Sequence, residues 1–309
     1  MKIASTLSAL GLVLMLPACG GEEIIDALGQ LPPPGSGGGT PEQRGPNYAV
    51  NGFSVGKNEA LAIVTVIETD KNTRLKNYNA GTPSDLRIVF DASRGTLALF
   101  SEGKAFDGTV DPEGVTLTAT GRSNQVFRNL VSGNDATLEV GEYAWRLSAR
   151  YDQDDGRFRH NLVATGGQIF LPLPVSGEGN YDAVMRGVIE QVDSTGSWKQ
   201  IPYLARGKVT VAFDGGAVTS DFKLDPAFNN ANGNILAGGT LVSGGNFEGS
   251  SNGVVVLDGR SAAVRGTMTG FVAGPNGEEV AGVKYLNGIS PSLVSTTMDG
   301  AFLGRDPSR

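Results

Sequence analysis

The chain has 309 residues, with 25 Lys and Arg against 32 Asp and Glu, one histidine and one cysteine. Its net charge of −7 argues against the broad basic face that binding to phosphate backbones requires, so nucleic acid is not expected as a partner. A single cysteine excludes an internal disulfide framework, and a single histidine without an HExxH motif argues against zinc hydrolysis.

The N-terminus has the organisation of a secretory signal peptide. Lys2 is followed by an uncharged run, Ile3–Leu16, and then by the short segment before Cys19. The run is shorter than the about 20 residues that a membrane-spanning helix needs. Residues 1–18 are therefore predicted to be a signal peptide. Loss of Lys2 with this segment leaves 24 basic and 32 acidic residues, a net charge of −8.

Cys19 directly follows Leu16-Pro17-Ala18, and this arrangement resembles the lipobox of bacterial lipoproteins. In those proteins the cysteine becomes the N-terminal residue and carries acyl chains such as palmitate. Each buried methylene contributes about 0.8 kcal/mol, so several chains together form a lasting anchor. Gly20, instead of Asp, implies the outer membrane in lipoproteins of the enteric type. The alternative is an ordinary signal peptide with a free thiol nearby.

Residues 19–47 are predicted to form a tether. They contain Pro32–Pro34 and Gly37–Gly39, which join neither a helix nor a central strand. Such a segment holds a folded domain away from a membrane, with a coil span on the order of 30 Å. The short apolar patch Ile24–Leu31 is interpreted as part of this solvated tether, and a helical turn on the lipid surface is the alternative.

From Tyr48 onward, short apolar alternations separated by Gly, Asn and Asp predict antiparallel β-structure. Ile88 and Phe90 alternate with polar residues before a break at Ala92–Gly95, after which a second alternating run begins, which predicts a hairpin. Asp154-Asp155-Gly156 predicts another hairpin turn, because Asp-Gly supplies the positive φ of a tight reversal. Residues 48–176 are therefore expected to form a β-rich, handle-like domain.

Pro172 and Pro174 mark an internal boundary, since two prolines so close together end ladder pairing. A second domain is predicted over residues 180–309. Within it, Gly215-Gly216 as a two-residue loop places Val211 opposite Ser220, and on the other face sets Lys208 against Lys223.

A second hairpin is predicted around Asp258-Gly259, after the strand that ends at Leu257. The inward row of the following strand mixes small and large side chains, which suits the curved wall of a closed barrel. This row comprises Ala262, Val264, Gly266 and Met268.

The segment Gly266–Val283, with its Gly274-Pro275-Asn276-Gly277 turn and the following acidic pair, resembles the signature of the C-terminal barrel in transferrin-binding protein B-like lipoproteins. Pro275 fixes φ at the first corner of the turn and Asn276 tolerates the second. The closing Gly300–Gly304 resembles the last strand of that barrel, which pairs with the first. The chain departs from the family at Ala281, in place of the first glycine of a pair, and at Lys284, in place of an aromatic residue.

The resemblance implies an all-β protein in which a β-rich handle precedes an eight-stranded antiparallel barrel. It also implies a lipoprotein displayed on the outer membrane by a dedicated exporter, which binds a host or extracellular protein or haem, often for iron acquisition. The alternative function is a periplasm-facing structural or assembly lipoprotein without a small-molecule ligand.

Three motifs are considered for catalysis or metal binding. Gly249–Gly253 matches a nucleophile-elbow string, but a strand pattern follows instead of a helix, so a solvated loop is expected. His160 is expected to be exposed, with a haem axial ligand as the alternative. Asp152, Asp154 and Asp155 resemble a calcium loop, yet Val163 stands where a bidentate glutamate belongs. The chain is therefore not expected to be an enzyme or to hold a metal.

Two stretches of the barrel are predicted to be long loops with recognition side chains. Residues 225–233 contain Phe228 among asparagines, and residues 284–293 contain Tyr285. Long loops on a rigid scaffold are where binding usually resides, so Phe228 and Tyr285 are the candidate ligand-binding residues. The alternative for either stretch is disordered, solvent-facing sequence. Glu279 is expected to be solvated; the alternative is that it accepts backbone hydrogen bonds across the barrel mouth.

Overall fold

The computed structural model describes part of the chain, and Cys19, the signal peptide and the tether lie outside this part. The described residues are 48, 53–55, 61–70, 76–80, 87–101, 104–110, 116–117, 123–128, 135–152, 158–290 and 293–309.

Strands make up most of the described structure, and every strand pair is antiparallel. In chain order the strands are β1 (Phe53–Val55), β2 (Leu61–Asp70), β3 (Lys76–Ala80), β4 (Arg87–Asp91), β5 (Thr96–Ser101), β6 (Lys104–Val110), β7 (Thr116–Leu117), β8 (Ser123–Arg128), β9 (Asp135–Val140), β10 (Ala144–Asp152), β11 (Phe158–Gly167), β12 (Glu178–Val192), β13 (Trp198–Ala212), β14 (Ala217–Leu224), β15 (Ala231–Leu241), β16 (Asn246–Leu257), β17 (Arg260–Ala273), β18 (Glu279–Ile289) and β19 (Ser295–Arg305).

Strands β1–β11 form one sheet in the order β1-β4-β5-β6-β8-β9-β10-β11-β2-β3, with β7 paired to β8. The predicted hairpin at Ala92–Gly95 is confirmed, because Asp91 pairs with Thr96. The Asp91 carboxylate holds this turn by accepting hydrogen bonds from the backbone N–H groups of Ser93 (3.0 Å) and Arg94 (3.1 Å). Strands β10 and β11 also form a hairpin, although its turn, Asp154-Asp155-Gly156, lies outside the described residues.

One face of this sheet carries its own apolar core. The alternation predicted from the sequence is confirmed for these side chains, which are all buried: Ile88, Phe90, Leu97, Leu99, Leu138, Trp145 and Leu147.

Strands β12–β19 form a closed eight-stranded barrel, as the resemblance implies. The first and last strands pair along their length, with Gly187 opposite Gly300 and Ala183 opposite Gly304. The predicted hairpin at Asp258-Gly259 is confirmed, since Leu257 pairs with Arg260 and both turn residues have positive φ (50° and 74°). Strand β12 begins at Glu178, after the proline-containing stretch.

The predicted register of the β13–β14 hairpin is wrong by two residues. Val211 pairs with Val218, so the connection has four residues, Phe213–Gly216, instead of two. Lys208 therefore faces Asp221 and the expected repulsion with Lys223 does not arise. Gly207 faces Phe222 in this register, and a Cβ at Gly207 would overlap the carbonyl oxygen of Asp221, so the barrel wall needs glycine there.

The string Gly249–Gly253 lies in the middle of β16, so the expectation of a solvated loop is wrong. Ser251 is buried and its hydroxyl donates a hydrogen bond to the carbonyl oxygen of Leu236 (2.9 Å). A Cβ at Gly249 would overlap the backbone of Gly238 on the neighbouring strand. The glycines therefore serve close strand packing, and the strand continues where an elbow would need a helix.

Candidate functional site

The sheet packs against the outside of the barrel at β18 and β19, through a small apolar core. The inward-facing residues of these strands fill the lumen and the alternate residues face the sheet. Both faces are therefore buried along much of these two strands. The buried residues of this interface are Ile63, Tyr143, Ala144, Val163, Phe271, Ala273, Ala281, Val283, Ala301 and Leu303.

Glu279 fixes the sheet to the barrel and is not solvated, so that expectation is wrong. The residue is buried, and its carboxylate accepts hydrogen bonds from the backbone N–H groups of Glu142 (3.1 Å), Tyr143 (3.0 Å) and Ala144 (2.9 Å). Successive N–H groups in a tight turn make a concave anion site. A Cβ at Gly141 would overlap the Glu279 carboxylate, so the turn requires glycine at this position.

One end of the barrel, here called the base, consists of the connections 213–216, 242–245 and 274–278. The predicted Pro275 turn is confirmed, because the N–H of Gly277 donates to the carbonyl oxygen of Gly274 (3.1 Å). The hydroxyl of Tyr181 donates to the carbonyl oxygen of Gly277 (2.8 Å), and the Arg309 guanidinium lies over the Phe213 ring (5.0 Å). Side chains therefore cover the base.

The lumen is packed with buried side chains, and it forms the hydrophobic core of the barrel. Phe302 lies between two other rings, with its centroid 5.6 Å from that of Phe222 and 6.4 Å from that of Phe247. The other large residues of this core include Tyr181, Met185, Tyr203, Val209, Ile235, Val264, Met268, Leu286 and Met298. Ligand recognition is therefore to be sought on the outside of the barrel.

One cation lies in this core. Lys284 has no exposed surface, donates a hydrogen bond from Nζ to Ser220 Oγ (2.6 Å) and lies over the Phe222 ring (5.0 Å). Burial lowers the pKa of Lys284 to about 7, and the charge of Asp221 opposes this shift. Lys284 was singled out from the sequence only because it replaces an aromatic residue of the family pattern.

The opposite end of the barrel, here called the rim, consists of the connections 193–197, 225–230, 258–259 and 290–294. Asp193 stiffens the first of these, because its carboxylate accepts hydrogen bonds from Thr195 Oγ1 (2.6 Å) and from the N–H of Ser197 (2.9 Å). The hydrogen bond from Thr195 is the largest cause that lowers the pKa of Asp193. A cavity of about 270 Å³ at the rim is lined by Gln191, Asp193, Ser197, Lys199, Leu257, Asp258, Arg260 and Val294.

Two large apolar side chains are exposed at the rim, Ile289 (67 %) and Leu293 (68 %). Leu293 has a positive φ of 59°, which is uncommon for a residue with a Cβ. The conformation is held by the N–H of Leu293, which donates to the carbonyl oxygen of Ser290 (2.9 Å), and by the N–H of Val294, which donates to Ser290 Oγ (3.1 Å). Strained backbone concentrates at functional sites, so this apolar pair is the strongest recognition feature of the rim.

The structure places the two candidate residues from the sequence in different environments. Phe228 is half-buried in the connection 225–230, and the Arg186 guanidinium lies over its ring (5.5 Å). Tyr285 lies in the middle of β18, so the expectation that residues 284–293 are irregular is wrong for most of that stretch. Burial is the largest cause that raises the pKa of Tyr285. A ligand-binding role for either residue stays a prediction.

His160 lies on β11 with its backbone opposite Tyr151 and Glu68, and its side chain is outside the described part of the structure. Among the described residues, no group of three or more His, Cys, Asp or Glu side chains converges as metal ligands would. The described part of the chain also has no helix that is long and apolar enough to cross a membrane.

Comparisons with known proteins find similarity among solved structures only. No family model matches the chain, and no curated protein matches it. A double mutant of transferrin binding protein B from Haemophilus parasuis is 14 % identical with a TM-score of 0.45, over 79 % of this chain and 44 % of that one. The intact Ap-TbpB structure, with N and C lobes, is 14 % identical with a TM-score of 0.42, over 79 % and 46 %.

The isotype 1 transferrin binding protein B of Neisseria meningitidis serogroup B is 11 % identical with a TM-score of 0.27, over 82 % of this chain and 78 % of that one. The chain spans less than half the length of the first two proteins. These are structures of the family that the sequence resembles, and at such identities the likeness concerns the fold alone.

Proposed function

We propose that this chain is a lipoprotein of the outer membrane, displayed on the cell surface, that binds a host or extracellular protein or haem through the rim of its barrel and catalyses no reaction. The sequence supports the anchor at Cys19 and the tether behind it. The observation that carries the binding function is the exposed apolar pair Ile289 and Leu293 at the end of a side-chain-filled barrel, with Leu293 in a strained backbone conformation.

The position of the tether supports this use of the rim. Tyr48, where the tether joins the described fold, is buried close to Glu279. Burial is the main cause that raises the pKa of Tyr48 to about 12, and the negative charge of Glu279 adds to this shift. Glu279 is the first residue of β18 and Ile289 is the last, so they lie about 33 Å apart along the strand. A tether that joins the fold beside Glu279 leaves the rim at the opposite end of the barrel, away from the membrane.

Substitution of Cys19 tests the anchor and the display together. In cells that express the full chain, we expect the protein in the outer-membrane fraction, and we expect Cys19→Ser to release it because no acyl chain is attached. Protease added to intact cells should digest the wild-type protein while a periplasmic marker stays intact. Digestion only after permeabilisation would instead support the periplasm-facing alternative.

A rim substitution tests the binding function. Purified mature chain is immobilised and offered transferrin, haemoglobin and haem, the ligands that the family resemblance suggests for iron acquisition. We expect one of these to be retained, and Leu293→Lys to weaken retention at least 10-fold by removing an apolar anchor from the interface. Val175→Lys is the matched control, because Val175 is 84 % exposed and precedes β12 at the base.

Failure to retain any of the three would contradict a role in iron acquisition. Retention that Leu293→Lys and Val175→Lys weaken equally would contradict binding through the rim.

A further inference from the structure

A group of three arginines lies where the barrel wall meets the sheet. Arg186 projects outward from β12, Arg206 lies on the neighbouring strand β13, and Arg146 comes from β10 of the sheet. The three charges lie close enough that both neighbours lower the pKa of Arg186. The half-buried ring of Phe228 lies beside the Arg186 guanidinium, 5.5 Å from it.

Two of these arginines have acidic partners and the third has none in the part of the chain that the structure describes. Arg146 binds Glu139 through Nε (2.9 Å) and Nη2 (2.5 Å), and Arg206 lies 3.7 Å from the carboxylate of Asp225. Arg186 makes no ion pair in that part of the structure, and its Nε is enclosed without a hydrogen-bond partner. The site therefore holds a partly desolvated cation that, among the described residues, no carboxylate contacts directly.

The pKa of Arg186 reflects the same surroundings. Burial is the main cause that lowers it to about 10, and the charge of Arg146 adds to this shift. Glu139 opposes it and Arg206 reinforces it. An anion brought to this position would therefore relieve a charge that the fold compensates only in part, through Glu139.

The connection 225–230 places Phe228 in a fixed position. The N–H of Asp225 donates to the carbonyl oxygen of Leu204 (2.8 Å), and Asn229 Nδ2 donates to the carbonyl oxygen of Pro202 (2.9 Å). Asn229 and Asn230 have positive φ values of 61° and 54°, which turn the chain back toward β15. The aromatic side of the site is therefore preorganised, and ordering it adds little entropic cost to binding.

We propose that Arg186, with Arg206 and Phe228 beside it, is a binding site for an oxyanion, either a carboxylate or a phosphate group. The planar guanidinium presents a fork of N–H donors that matches two oxygens of such a group. The phenyl ring covers one side of the guanidinium and shields it from water. This site includes Phe228 of the rim connection 225–230 but not Ile289 or Leu293, and it requires neither the lipid anchor nor surface display.

Titration of the mature chain with inorganic phosphate and with acetate, each at constant ionic strength, tests the site. Binding is followed by broadening of the phosphorus resonance for phosphate and by saturation transfer to the methyl group for acetate. We expect saturable binding of at least one probe, weakened at least 10-fold in Arg186→Gln. The probe that binds more tightly identifies the class of oxyanion.

Arg265→Gln is the matched control, because it removes the same charge from an exposed position on β17. Arg186→Lys keeps the charge but lacks the forked N–H donors, and it replaces Arg186→Gln in the test if that variant does not fold. We expect Arg186→Lys to unfold at the wild-type temperature and still to bind the probe more weakly. Equal weakening by Arg186→Gln and Arg265→Gln would overturn the proposal, as would the absence of saturable binding of both probes to the wild-type chain.

Discussion

Replacement of Glu279 by glutamine is expected to destabilise the protein by about 3 kcal/mol, because the buried carboxylate is the common acceptor for three backbone N–H groups. Glutamine keeps the size of the side chain, but it has one carbonyl oxygen and turns an amide group toward donors. Urea unfolding followed by tryptophan fluorescence measures the loss. Since the barrel closes on itself and the sheet only packs against it, we expect the sheet to dissociate first, which would appear as a second transition.

Glu248→Gln is the matched control, because Glu248 is exposed on β16 and its substitution should change the free energy of unfolding by less than about 0.5 kcal/mol. Gly141→Ala disrupts the same contact from the side of the sheet, because its Cβ would overlap the Glu279 carboxylate. This variant should therefore also show separate unfolding transitions for the sheet and the barrel. Equal stability of Glu279→Gln and Glu248→Gln would contradict the structural role of Glu279.

The sequence predicts those features of the barrel that depend only on the alternation of apolar and polar residues, namely which side chains face inward and where the strands turn. The inward row Ala262, Val264 and Met268 is buried as predicted, and Asp258-Gly259 turns the chain where expected. The register of the β13–β14 hairpin could not be fixed in this way. A slip of two residues leaves every side chain on the same face, so the apolar pattern fits both registers equally well.

Cross-strand pairing distinguishes those registers. The observed one places Lys208 opposite Asp221 and lets Phe222 face Gly207, whereas the predicted one opposes two lysines. Like charges directly opposite each other are destabilising, so this pair was the signal in the sequence that favoured the observed register.

The role of Glu279 could not be read from the sequence, because its partners lie 135 to 137 positions away along the chain. Only the packing of the sheet on the barrel brings them together. The inward position of Lys284 could have been predicted from the sequence. Side chains an even number of residues apart lie on the same face of a strand, so Lys284 shares the inward face of β18 with Val280 and Leu286.

Replacement of Lys284 by methionine is expected to stabilise the protein near neutral pH, by on the order of 3 kcal/mol. Burial lowers the pKa of Lys284 from 10.5 to about 7, so at pH 6 the folded chain keeps a charged ammonium in its apolar core. Methionine has a similar length and no charge, and the gain is reduced by the lost hydrogen bond to Ser220. Chemical unfolding at pH 6, 8 and 10 measures the difference.

The pH dependence of this gain follows from proton linkage. Between pH 7 and pH 10.5 the unfolded chain binds the Lys284 proton and the folded chain does not, so this residue makes wild-type stability rise with pH. The variant lacks that rise. The stability difference should therefore be largest at pH 6, shrink through this window and change sign before about pH 10.5, where the lost hydrogen bond to Ser220 leaves the variant slightly less stable.

Lys223→Met is the control, because Lys223 is exposed on the outer face of β14 and should show no such dependence. A gain from Lys284→Met that is constant from pH 6 to pH 10 would mean that the lysine stays charged when folded, with its ammonium stabilised by Ser220 and the Phe222 ring. If Lys284→Met is instead less stable than the wild type at pH 6, the contacts of the ammonium with Ser220 and Phe222 outweigh the cost of burying its charge. Lys284 would then stabilise the barrel core.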